Sequence, residues 1–140
     1  MRLFKWKINS RFFEHHLPKL RETFFNRIDE ACNLPIDVTP NNFLQRFPLG
    51  GAIYRIFWMH CWFPQRFPIF DQHVYRAMMF IQKGKRLELE NLSDSERVAS
   101  YIRNYIAFHS LFSDSEPRNV DRALWAFGKF IKGSNLPLPV

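Results

Sequence analysis

The chain has 140 residues, a formal charge of +7 and a pI near 9.8. That length reads as one domain with room for a real core, and 46% hydrophobic against 24% charged residues is the balance of an ordinary soluble globular protein. The two cysteines, Cys32 and Cys61, exclude a four-cysteine iron–sulfur cluster within one chain, and the lack of any apolar run of about eighteen residues excludes a membrane span.

Sixteen phenylalanines raise the aromatic share to 17%, which fits either a bulky core or an apolar surface held for a partner. The basic charge permits a nucleic-acid or anionic-surface partner without demanding one. Residues 1–70 carry ten Lys and Arg against five Asp and Glu, and residues 71–140 carry ten against eight. A basic face is therefore expected to draw mainly on the first half. Two cysteines without a C-x-x-C motif read as reduced thiols of a cytoplasmic protein. No metal site is expected.

The start, MRLFKWKINSRFF, is basic and aromatic. It lacks a continuous apolar core and a small-residue cleavage site, so it makes a poor secretory signal, and an amphipathic surface anchor is the alternative there. The first clear helix is expected after Leu17, with Pro18 in its first turn. Leu20, Phe24, Ile28 and Ala31 then recur at helical spacing on one buried face, and the helix should stop near Asn33. Thr39 is placed to cap a short helix with Pro40 just inside it, running to about Phe47. Pro48-Leu49-Gly50-Gly51 breaks it.

A strongly apolar helix follows from about Ala52 to Trp62. FPQRFPIF, with Pro64 and Pro68, is a loop, and the next helix runs from about Asp71 to Gln82. KGKRLELENL is a charged linker. Ser93 and Glu96 form a capping box ahead of a stripe of Val98, Tyr101, Ile102, Tyr105 and Ile106. A last helix begins near Pro117 and turns Val120, Ala123, Leu124, Phe127 and Ile131 inward, with Trp125 also in its packing. It ends at Gly133, and the tail LPLPV is extended. The fold class is all-α: a single helical domain over 1–140, with a helix–hairpin–helix and aspartate region at about 39–81 and C-terminal helices at about 93–132.

The glycine turn and the acid downstream carry the chemistry. Glycines let a backbone approach a phosphate closely, and free N–H groups at the following helix start point at the anion. Such a hairpin grips DNA without reading its sequence. Phe47-Pro48-Leu49-Gly50-Gly51, followed by Asp71-Gln72-His73-Val74-Tyr75-Arg76, resembles the helix–hairpin–helix DNA glycosylase superfamily. These base-excision enzymes include endonuclease III and the adenine glycosylases. Their hairpin reads roughly Leu-Pro-Gly-Val-Gly, with an Asp-x-His-Val-x-Arg stretch beyond. The likeness covers Thr39 to about Ile81, less than a third of the chain.

The resemblance makes Asp71 the candidate catalytic acid, stabilising an oxocarbenium-like sugar or activating a nucleophile once a base has left the stack. Gly50 and Gly51 become the phosphate cradle, with Arg46, Arg55 and Arg66 as flanking phosphate contacts. His73 and Arg76 become structural support. Ile53 stands where bifunctional members carry a lysine, which excludes Schiff-base lyase chemistry there. Leu49 replaces the first hairpin glycine. About forty residues precede the hairpin, so half of the family's base pocket is missing or comes from a protein partner. No organic cofactor is implied, and a monovalent cation at the hairpin carbonyls is allowed by the resemblance.

The same residues have plainer roles. Asp71 as an N-cap, Gly50-Gly51 as a helix–helix turn, the arginines as a solvated face, His60 as a satisfied core histidine, and Trp58, Trp62 and Phe57 as core. Three functions stand at this point. One is a DNA-binding protein with monofunctional base excision. Another is a non-catalytic glycosylase-like subunit that binds DNA or protein. The third is a helical interaction protein using a Phe-rich surface.

Overall fold

The computed structural model describes residues 10–134, with side chains from residue 14. The basic aromatic start lies largely outside the described residues, and the LPLPV tail wholly so. Every regular element among the described residues is helical, which agrees with the all-α expectation. No described helix is long and apolar enough to cross a membrane. The chain divides into two units, Met1–Gly50 and Gly51–Val140.

In the first unit, α1 spans Ser10–Thr23 and carries Pro18 inside it, not in a first turn as its sequence preference suggested. An internal proline forfeits one backbone bond, and its exposed position here spares it a steric conflict with the core. The helical run expected to continue to Asn33 is interrupted. A single 3₁₀ turn, Phe25–Arg27, separates α1 from α2, Ile28–Cys32. That break re-phases the chain: Leu20, Phe24 and Ala31 stay buried, while Ile28 turns out to solvent.

Helix α3 spans Pro40–Arg46, and Thr39 Oγ1 accepts the Asn42 N–H at 3.2 Å, as the Thr-Pro pair predicts. Phe43, Leu44 and Phe47 are its core residues. Arg27 ties the 3₁₀ turn to the end of α3. Its guanidinium grips Glu30 twice, donates to the Arg46 carbonyl and lies 4.7 Å from the Phe47 ring centroid.

The second unit holds α4, Ala52–Trp62, and α5, Gln72–Lys83. It continues with α6, Asp94–Ser100, α7, Ile106–Ser110, and α8, Pro117–Gly133. The Ser93–Glu96 capping box forms as expected. Between α6 and α7 the backbone widens into a π-helical turn, Tyr101–Tyr105. The extra residue per turn shifts the phase of the stripe. Tyr101 and Tyr105 are fully buried, Phe108 joins them, and Ile102 and Ile106 are left at the margin.

Helix α5 packs on α8 more extensively than any other pair of described elements meets. Val120, Leu124, Gly128 and Ile131 face inward, whereas Ala123 is exposed and Phe127 half-buried. The inward face is centred on a glycine. A Cβ at Gly128 would stand 1.8 Å from the His73 carbonyl oxygen, so only a bare backbone lets the two helices come this close. That narrows the apolar stripe and leaves Ala123 and Trp125 outside.

Gly128→Ala therefore forces the helices apart. The overpacking costs about 3 kcal/mol, against about 1 kcal/mol gained in helix propensity. The expected net loss is roughly 2 kcal/mol, read as a lowered midpoint in urea unfolding.

Candidate functional site

The turn Pro48–Gly51 is solvent-exposed along its whole length. Gly50 has φ +95°, a left-handed conformation that a side chain resists. Within the first unit its Cα faces Thr23 and Phe24, whose atoms would lie 3.3 and 3.4 Å from an added Cβ. Gly51 is the N-cap of α4 and offers no side chain to the helix start. The amide one residue on is already used: Ala52 N–H donates to Asp94 Oδ1 at 3.3 Å. An acid from the start of α6 thus sits where the resemblance puts a phosphate. Its side chain is 58% exposed and lies 3.7 Å from Arg97.

The three arginines expected to hold phosphates have different surroundings. Arg46 is exposed, with its Nε 3.6 Å from Glu30. Arg55 is half-buried, and burial pulls its pKa down while Asp94 opposes this. Arg66 is exposed and lies over Phe67 at 4.7 Å and Phe63 at 5.7 Å.

Asp71 is half-buried at the head of α5. Its Oδ1 accepts the N–H groups of His73 at 2.8 Å and Val74 at 3.1 Å, the pattern of an N-cap. The preceding Phe70 packs against Tyr75, Tyr101 and Tyr105, with ring centroids 6.1, 5.3 and 5.1 Å away. Tyr101 Oη donates to the Pro68 carbonyl at 2.9 Å. Tyr105 Oη is enclosed and has no hydrogen-bond partner among the described residues. Burial first, then the charge of Asp121, holds both hydroxyls well above their ordinary pKa, and Asp71 adds to the effect at Tyr105. Nearby, His109 Nε2 lies 2.9 Å from Asp121 Oδ1, joining α7 to α8.

Arg76 is 1% exposed. Its Nε and Nη2 grip Glu88 at 2.7–3.1 Å, and Nη1 donates to the Gly128 carbonyl at 2.9 Å and to His73 Nδ1 at 3.1 Å. His73 accepts that bond, so its proton resides on Nε2. Burial holds the imidazole below its ordinary pKa; Asp71 opposes this, while Arg76, Lys132 and Lys129 reinforce it. His73 and Arg76 are thus bonded to each other, and Arg76 to the α8 backbone as well. His60 is also satisfied, with Nδ1 2.7 Å from the Phe67 carbonyl. Phe57 and Trp58 are core, and Trp62 is half-buried with its Nε1 enclosed and without a partner among the described residues. Burial pushes the Cys61 thiol up to about 12, which keeps it protonated.

Sequence reasoning did not anticipate Asp94, the Tyr105 hydroxyl or the His109–Asp121 pair. Asp94 follows a capping serine, where an acid is ordinary, and nothing local reports that it reaches a residue forty-two positions away. No protein-family profile matches the chain, and no curated protein or solved structure matches it.

The Arg76–Glu88 pair predicts an acid response. Arg76 is the largest cause holding the Glu88 carboxyl below its ordinary value, with burial opposing it and Arg86 adding to it. A depressed folded pKa gives stability that is fully present above the ordinary carboxylate value near 4.5, and that is lost as pH falls through the lower folded value. Glu88→Gln should flatten the fall in thermal midpoint below pH 4.5 and lower stability at pH 7. An unchanged acid slope would mean that other carboxylates carry it.

Proposed function

We propose that this chain is a non-catalytic DNA-binding module whose Pro48–Gly51 turn holds the duplex backbone, with Arg46 ahead of the turn and Arg66 in the loop after α4 as further phosphate contacts. The observation that carries the reading is the turn itself. It is open to solvent, its Gly50 backbone is left-handed, and it leads directly into the start of an eleven-residue helix. A helix start at such a place suits an anion, and the net charge of +7 suits a polyanion. The reading is non-catalytic because Asp71 Oδ1 is committed to two backbone amides. Asp94 acts against phosphate here. Its carboxylate must leave the Ala52 amide before a phosphate takes that place.

Base excision by Asp71 is the second reading. The Tyr105 hydroxyl is the observation behind it: a buried donor without a partner among the described residues, in the same aromatic cluster as Phe70, the residue before Asp71. In this reading a flipped base would sit near Asp71, whose charge stabilises the cationic sugar.

Duplex binding measured against salt tests the first reading. Arg46→Gln with Arg66→Gln should reduce the slope of log K against log salt by about 1.8, or about 0.9 per lost phosphate contact. Asp94→Asn removes the competing charge and should tighten binding about two- to five-fold, the worth of one charge at a helix start. No retention on duplex at low salt overturns the proposal. Release of base from damaged or mismatched duplex, abolished by Asp71→Asn, would replace it with the second reading. Asparagine caps a helix about as well as aspartate, so that variant separates chemistry from folding.

A further inference from the structure

Helix α8 presents a second surface with a chemistry of its own. Arg118, Arg122, Trp125, Lys129 and Lys132 are spaced four, three, four and three apart, which aligns them along one side of a helix. All five are exposed. The buried residues Val120, Leu124, Gly128 and Ile131 occupy a different side. From Arg118 to Lys132 the row runs about 21 Å at 1.5 Å per residue.

Among the described residues none of the four cations is paired with a carboxylate. The acid within the helix, Asp121, is taken by His109 at 2.9 Å. Trp125 stands in the middle of the row and is 38% exposed. Its ring meets His73 edge-on at 5.1 Å, and the Lys129 ammonium lies 4.9 Å from its centroid. The residue composition of the row also separates it from the rest of the second half, whose net charge is small.

We infer that this row binds single-stranded nucleic acid, with the four cations on successive phosphates and one base stacked on Trp125. The charge row is complementary to a polyanion, and a solvent-facing indole between cations supplies a stacking platform that accepts any base. Lys129 moves from the ring face to a phosphate as the base takes its place. None of the five residues belongs to the glycine turn, so this surface is separate from the duplex contact proposed above and does not rest on it.

Fluorescence anisotropy with a labelled oligothymidylate, repeated over a range of salt, tests the inference. Four contacts on a single strand predict a slope of about −2.8 in log K against log salt. Arg122→Gln with Lys129→Gln should reduce its magnitude by about 1.4. Trp125→Ala should weaken binding at least about five-fold, and Trp125→Phe should recover most of that loss. These side chains are exposed, so far-UV circular dichroism should not change.

Unchanged slopes in the double variant would overturn the inference, as would a Trp125→Ala protein that binds normally. Binding of phosphatidylserine vesicles through the same residues, without oligonucleotide binding, would also overturn it and assign the row to an anionic lipid surface. Sensitivity of oligothymidylate binding to Arg46 and Arg66 alone would move the strand to the glycine turn and overturn it as well.

Discussion

A buried guanidinium is tolerated only when its donors are met, and Arg76 meets that condition through three separate segments. Glu88 supplies the charge after the end of α5, Gly128 supplies a carbonyl from α8, and His73 supplies a ring nitrogen one turn earlier on α5. Reaching the Gly128 carbonyl requires α8 to lie close against α5, and the missing Cβ permits that approach. The polar network and the tight crossing therefore depend on each other. A wider crossing would strand a charge in the core, and an unpaired buried charge costs several kcal/mol.

The same packing decides what α8 shows to solvent. Once Gly128 is pinned against His73, the rotation of the helix is set, and the row from Arg118 to Lys132 is left outside with Trp125 in it. Structure at the crossing and chemistry at the surface are two consequences of one contact. His73 reports on both sides of it: it accepts from Arg76 within, touches the Trp125 ring, and its pKa carries the influence of Lys129 and Lys132.

Three helix starts in the second unit, those of α4, α5 and α6, are served by carboxylates of the chain itself, that of α6 by Glu96 in its capping box. Asp71 caps α5 locally, and Asp94 reaches the first amide of α4 from a distance. A helix start favours negative charge whether it comes from a side chain or from a phosphate. The preference that makes the glycine turn a candidate for DNA is thus the preference that Asp94 satisfies internally. Exposure and a long bond at Asp94 leave that contact open to exchange. Asp71 is held more firmly, by two amides.

Local rules were enough for much of the fold. The Thr39 cap with Pro40, the Ser93–Glu96 box, the glycine break and the limits of α4 were all legible in the chain, because each depends on residues within one turn of one another. The partners of Arg76, Glu88 and the Gly128 carbonyl, were not legible there. What local reasoning missed has a common physical origin. The 3₁₀ break that exposes Ile28 and the π turn at Tyr101–Tyr105 arise where packing outweighs the spacing preference of a regular helix. The outward turn of Trp125 follows from the missing Cβ of Gly128, and the hold of Asp94 on Ala52 links residues far apart in the chain. The amino-acid order by itself determined an all-helical chain and where most of its helices start. Tertiary structure alone decided which faces those helices bury and which charges meet, because both are set by approach distances between distant segments.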